Sequence, residues 1–161
     1  MNLVAKLLPP SNILLGLEVT SKKRLFEQVG LHFENNQGIA RSLVCDSLFA
    51  RERLGSTGLG QAVAIPHGRI KGLKDAVGAF ARLSSPVPFD APDGKPVGLV
   101  FVLLVPEHAT EQHLHILSEL AQMLSDREFR DNLAAEADAG ALHSHIAAWE
   151  PNVPNQRRAA V

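Results

Sequence analysis

His67 stands in the segment Ala64-Ile65-Pro66-His67-Gly68-Arg69. A histidine whose pKa is near its ordinary value of about 6.5 is mostly neutral at pH 7, and one ring nitrogen then carries a free lone pair. Such a ring can act as a nucleophile. The run Ala62-Val63-Ala64-Ile65 before it reads as a short buried strand that ends at Pro66, which restricts the local backbone. Gly68 after it lets a second macromolecule approach closely. The segment therefore reads as a strand end, where α/β folds place chemistry. A histidine in an ordinary turn is the plainer alternative.

Groups that hold anions lie just upstream. Gly55-Ser56-Thr57-Gly58-Leu59-Gly60 offers glycines and hydroxyls, and its backbone N–H groups suit a phosphate. Ser56, Thr57 and the N–H groups around Gly68 are the phosphate-positioning candidates. The loop is not G-x-x-x-x-G-K-[ST], so nucleotide-binding chemistry is not indicated. Nor is it G-x-S-x-G, the nucleophile elbow of hydrolases. On a helical projection, Arg51 falls on the side of Leu43, Val44 and Leu54, whereas Arg53 points away. An arginine turned toward the body of the protein requires an anion. A transferring phosphoryl group suits it, and so does a neighbouring carboxylate.

Seven histidines raise the question of a metal. The pairs His113/His115 and His143/His145 fall in segments that read as helical, where residues two apart diverge by about 200°. One helix cannot bring such a pair to one ion, so no metal site is expected. Leu114, Leu117, Leu120, Ala121 and Leu124 define an apolar stripe. His113 projects into it and His115 opposite, beside Glu119 and Gln122. His113 is thus the second candidate, with a core histidine satisfied by backbone as the alternative. His108, His143 and His145 read as solvent-facing, and His32 as a boundary residue.

Several elements must position these groups. Leu14 to Val19 reads as a strand. Thr20-Ser21 caps a helix through about Asn35, with Leu25, Phe26, Val29 and Phe33 on one face, and Gly38 ends it. A second helix runs from about Ala40 to Arg53 and stops at Gly55. Ala76 to Leu83 is a strand, and Ser85 to Pro96 is a proline-rich connection. Gly98 to Val105 is almost entirely apolar, which predicts a central strand buried on both faces. Three helices follow, from about Thr110 to Leu124, Asp126 to Ala135 and Asp138 to Trp149. Strands interleaved with helices predict a layered α/β fold with a mixed sheet.

Composition bounds the function. The chain has 161 residues, 45% of them hydrophobic, enough for one domain with a real core over 1–150. The stretch 151–161 reads as a frayed tail. Lys+Arg 16 against Asp+Glu 17 gives no basic field for nucleic acid. No apolar run approaches the roughly 20 residues of a membrane-spanning helix. The one cysteine, Cys45, excludes an intrachain disulfide, and the start lacks a signal-peptide pattern. A cytoplasmic protein is expected.

Three blocks together carry a family resemblance: Arg51-Glu52-Arg53-Leu54-Gly55-Ser56-Thr57-Gly58-Leu59-Gly60, then Ala64-Ile65-Pro66-His67-Gly68, then Leu103-Leu104-Val105-Pro106 followed by His113-Leu114-His115. From about Ser11 to Ala147 the chain resembles the enzyme IIA components of the bacterial phosphotransferase system, fructose/mannitol class, and within it the nitrogen-regulatory branch. It departs at Gln61-Ala62, where that branch often has Asn-Gly.

The resemblance implies a three-layer α/β/α sandwich around a mixed β-sheet. It implies His67 as phosphoryl acceptor through Nε2, His113 as the second active-site histidine and Arg51 as the helix-end arginine. It also implies an HPr-like phosphocarrier as donor. Downstream regulatory partners such as potassium-transport or sensor-kinase proteins follow from the nitrogen branch. No metal, nucleotide or other cofactor is required, because the donor is already phosphorylated. Three functions remain open: a regulatory phosphoryl carrier, a sugar-specific IIA subunit passing phosphate to a IIB protein, and a protein-binding module that has lost phosphorylation.

Overall fold

The computed structural model describes residues 2–108 and 110–150; the expected tail, 151–161, lies outside them. The elements, in order, are α1 (Leu3–Leu7), a 3-10 turn (Pro10–Asn12), β1 (Ile13–Leu17), α2 (Lys22–Gln37), α3 (Arg41–Glu52), β2 (Gly58–Gly60), β3 (Val63–Ala64), β4 (His67–Ile70), β5 (Val77–Val87), β6 (Val97–Pro106), α4 (Thr110–Ser125), α5 (Arg127–Ala135) and α6 (Ala139–Ala148).

One mixed sheet of order β1-β5-β6-β3-β2 runs through the molecule, with β4 also pairing β6. β6 lies at its centre, antiparallel to β5 and parallel to β3 and β4. Its side chains alternate with the pleat. Leu99, Phe101, Leu103 and Val105 pack beneath α1, α4, α5 and α6. Val100, Val102 and Leu104 pack beneath α2 and α3. Burying each such side chain contributes about 1.5–3 kcal/mol, so the apolar run that predicted the central strand also holds the two helical layers to it. The architecture is the expected α/β/α sandwich.

Local signals set the helix ends. Ser21 Oγ accepts from Arg24 N at 3.1 Å, and α2 buries Leu25, Phe26, Val29 and Phe33. Gly38, at φ 69°, closes the helix with its N–H on Glu34 O. Asp126 and Asp138 cap α5 and α6.

Three elements were not expected from the sequence: α1, β2 and β4. Most consequential is β4. β3 and β4 form one interrupted strand along β6, in register from Val63↔Leu99 to Ile70↔Pro106. The break falls at Ile65-Pro66, where Pro66 has no N–H to give but its carbonyl still accepts from Leu103 N at 3.0 Å. His67 is thus the first residue of a strand and half-buried, not the exposed end of one. Pro66 and Gly68 read locally as turn signals, and pairing with a distant strand overrides them.

Candidate active site

β4 carries His67 and Arg69 on one face and buries Gly68 and Ile70 on the other. The cleft at β4 has a volume of about 470 Å³ and is lined by Ser47, Ala50, Arg51, Leu54, His67, Gly68, Arg69 and His113. Of the residues expected from sequence, His67, His113, Arg51 and Gly68 meet there.

The ring of His67 is fixed in one tautomer. Nδ1 lies 2.7 Å from the carbonyl oxygen of Ile65. A carbonyl only accepts, so Nδ1 is the protonated nitrogen and the neutral ring keeps its lone pair on Nε2. Burial lowers the pKa of His67 below the ordinary histidine value. The bond to Ile65 opposes this, the nearby Arg51 guanidinium adds to it, and Glu52 opposes it more weakly. The net effect favours the neutral, nucleophilic ring.

His113 lies in the first turn of α4, its ring centroid 5.3 Å from that of His67 and tilted by 58°. Its pKa is also lowered, first by burial and then by His67 and Arg69. Its Nε2 is buried and, among the described residues, has no hydrogen-bond partner. The backbone does not satisfy it, unlike an ordinary core histidine.

His113 and Arg51 both line the cleft, although the stripes that singled them out are only partly the buried faces. Leu114 is 66% exposed and Ala121 is exposed; α4 buries Ile116, Leu120, Met123 and Leu124 instead. His113 still faces inward, three residues before Ile116, and His115 is exposed as expected. Leu43 on α3 and Leu54 just beyond its end are 48% and 84% exposed, while Val44 and Leu48 form the buried face of the helix. Arg51 therefore borders the cleft rather than the core. Its Nη1 donates to Gly55 O at 2.8 Å. Among the described residues no carboxylate lies within ion-pair distance of it.

Ser56 and Thr57 are not brought to the cleft. The Ser56 hydroxyl donates to the Phe89 carbonyl, and Thr57 gives both its hydroxyl and its N–H to Glu52. Gly68 is needed for a reason other than docking. A Cβ there would lie 1.9 Å from Ser47 Oγ, so glycine is what lets α3 close onto β4. His143, expected to face solvent, is half-buried and bonds Leu8 O through Nε2 at 2.9 Å. Arg69 was missed as a cleft residue. Its guanidinium bonds Glu107 O at 3.2 Å on the same strand face as His67, a relation that period-two alternation gives once the segment is read as a strand.

Residues 6–149 match the family described as the phosphoenolpyruvate-dependent sugar phosphotransferase system, EIIA 2. The chain is 43% identical to a nitrogen regulatory protein of Pseudomonas aeruginosa over 148 residues, covering 88% of this chain and 92% of that protein. It is similar in structure to nitrogen regulatory protein IIA-Ntr from Neisseria meningitidis, with TM-score 0.86, 52% identity, and coverage of 90% and 99%. IIA mannitol from Escherichia coli shares the fold at TM-score 0.68 and 22% identity, with coverage of 84% and 96%. Among the described residues no helix is long and apolar enough to cross a membrane.

Proposed function

Because this chain belongs to the EIIA 2 family of the phosphoenolpyruvate-dependent sugar phosphotransferase system, we propose that it is a nitrogen-type phosphoryl carrier that accepts phosphate on Nε2 of His67. The observation that carries this reading is the Nδ1–H bond to the Ile65 carbonyl, which leaves Nε2 as the free nucleophilic nitrogen beside the cleft.

The donor is a phosphohistidine on an HPr-like carrier. The Nε2 lone pair of His67 forms the new N–P bond as the donor's N–P bond breaks, and the donor imidazole leaves with that electron pair. Transfer of this kind depends on in-line positioning and on stabilising charge at the phosphoryl oxygens. Arg51 supplies charge, and His113 supplies a donor when its Nε2 carries the proton. The histidine Nδ1–H keeps its carbonyl throughout, so the ring does not rotate during transfer. The phosphorylated form then acts on cytoplasmic regulatory partners, of which potassium-transport and sensor-kinase proteins are the expected kind.

The deciding experiment incubates the protein with phosphoenolpyruvate, enzyme I and an HPr-type carrier and maps the label. One acid-labile phosphoryl group on His67, lost in His67→Ala, is the expected result. Full labelling of His67→Ala would overturn the assignment. Rapid onward transfer to a sugar-specific IIB protein would favour a transport role instead.

A further inference from the structure

Arg51 and Glu52 are neighbours at the C-terminal end of α3, and their side chains go opposite ways. Arg51 borders the cleft. Glu52 points inward, its side chain 4% exposed, and pairs with Lys22 Nζ at 2.9 Å. The same carboxylate accepts from Thr57 N at 3.2 Å and from the Thr57 hydroxyl. Lys22 is held in turn by Phe89: its Nζ donates to the Phe89 carbonyl at 3.3 Å and lies 4.6 Å from the ring centroid. Ser56 donates to that same carbonyl and accepts from Gly58 N at 3.0 Å. These contacts tie the start of α2, the end of α3 and the loop after it into one buried polar cluster outside the cleft.

A buried carboxylate must be compensated, and removing its cation leaves it to find another. Glu52 has a cationic neighbour on either side in the chain, Arg51 and Arg53, besides Lys22 from α2. It takes Lys22, and Arg51 is left with a backbone carbonyl, Gly55 O. Gly55 sits in the loop that Thr57 anchors to Glu52. The cluster therefore does two things for Arg51: it keeps the carboxylate from neutralising the guanidinium, and it fixes the carbonyl on which the guanidinium rests.

We propose that Lys22, Glu52 and Thr57 are positioning residues for phosphoryl transfer at His67, acting by holding the Glu52 carboxylate inward so that Arg51 stays uncompensated at the cleft. The inference rests on the phosphoryl-carrier reading. It also gives Ser56 and Thr57 a role without placing either against the phosphate.

The test is single-turnover transfer from a phosphorylated HPr-type carrier at saturating concentration, alongside the carrier's dissociation constant and thermal unfolding. Lys22→Met keeps the stem over Phe89 and frees the carboxylate. It is expected to slow saturated transfer about tenfold, less than the 10²–10³-fold for deleting a donor outright. Carrier affinity should stay unchanged. The double variant Lys22→Met/Glu52→Gln removes both charges and leaves an acceptor for Thr57, so it should recover most of the rate. Thr57→Val keeps the ion pair and should slow transfer about threefold by loosening the Gly55 loop.

A folded Lys22→Met protein transferring at the wild-type rate would overturn the proposal. So would a double variant as slow as the single one, which would mean that packing alone is at stake. If Lys22→Met does not fold, Thr57→Val and the double variant decide: wild-type transfer by Thr57→Val, or no better than marginal transfer by a folded double variant, sinks it. A wild-type chain that takes no label would remove the phosphoryl-carrier reading and this one together; a labelled wild type with unaffected variants would remove this one alone.

Discussion

The rings of His67 and His113 lie 5.3 Å apart, tilted by 58°, one at the start of β4 and the other in the first turn of α4. β6 connects them: His67 pairs beside Leu103, and the chain leaves β6 at Pro106 to enter α4 at Thr110. His113→Ala and Arg51→Ala should each slow phosphoryl transfer to His67 by about 10²–10³ without abolishing it, as expected for removing one positioned donor. His115→Ala should transfer as wild type, because that side chain is exposed on the other side of the helix. Rapid-quench labelling of the three variants checks this; damage from His115→Ala with none from His113→Ala would contradict the geometry.

Gly68→Ala should both destabilise the protein and slow transfer. The new Cβ would meet Ser47 Oγ at 1.9 Å and Ser47 Cβ at 2.9 Å, pushing α3, and with it Arg51, away from β4. Overpacking of this kind costs about 1–3 kcal/mol. Ser47→Gly in the same chain removes both atoms and should recover part of the loss. Urea denaturation of the single and double variants measures the coupling; additive effects would show that the contact is not the cause.

The acidity of the two histidines gives a pH signature. Both pKa values are lowered in the folded state, chiefly by burial. The unfolded chain, with histidines near 6.5, binds protons first as pH falls. Stability from these groups is therefore level above about pH 7 and declines as pH drops through 6.5 and on to the depressed folded values. NMR titration of the ring carbons should place the His67 midpoint below the ordinary histidine value of about 6.5. His67→Ala should make the loss of stability on acidification shallower, and an unchanged slope would count against the burial argument.

Gln61 and Ala62 turn β2 into β3 with φ 57° and 65°. Non-glycine residues are strained there, and Asn-Gly is the pair that two positive φ values favour. Asp93 Oδ2 holds the turn by accepting from Gln61 N at 2.9 Å. The double substitution Gln61→Asn/Ala62→Gly should raise stability by about 1 kcal/mol. A higher denaturant midpoint at unchanged slope is the expected reading. A lower midpoint would mean that the glycine's unfolded-state entropy outweighs the relieved strain.

Phosphorylation should act as a binding switch. A phosphoryl group adds about −1.5 to −2 of charge at pH 7, at a cleft flanked by Arg51 and Arg69 and rimmed by the exposed Leu54. A partner that covers the bare form through apolar contacts should bind the phosphorylated form more weakly, since a mismatched interface charge costs several kcal/mol. One that presents an arginine should bind it more tightly. Calorimetric titration of a captured partner against both forms decides, and equal affinities across every partner found would remove the switch.

What the sequence determined by itself was whatever local patterning controls. The apolar run of β6 specified a strand buried on both faces, because no helix or loop hides so many consecutive apolar residues as economically. Ser21 and Gly38 specified the ends of α2 through capping, which needs only neighbours in the chain. His67, His113 and Arg51 stood out by type and position, and the cleft brings all three together. Tertiary structure decided the rest. Whether His67 ends one strand or begins another depended on pairing with β6, a partner distant in sequence. Which leucines of α3 and α4 are buried depended on the helices' rotation against the sheet, so Leu43 and Leu114 emerged at the surface despite their apolar type. The places of Ser56 and Gly68 depended on Phe89 and Ser47, contacts made only when the loop after α3 meets the β5–β6 connection and α3 closes onto β4, while Thr57 turns back onto Glu52 five residues earlier. Hydrogen bonds and close contacts between distant segments leave no periodic trace in sequence, because each involves a single residue pair rather than a repeating face.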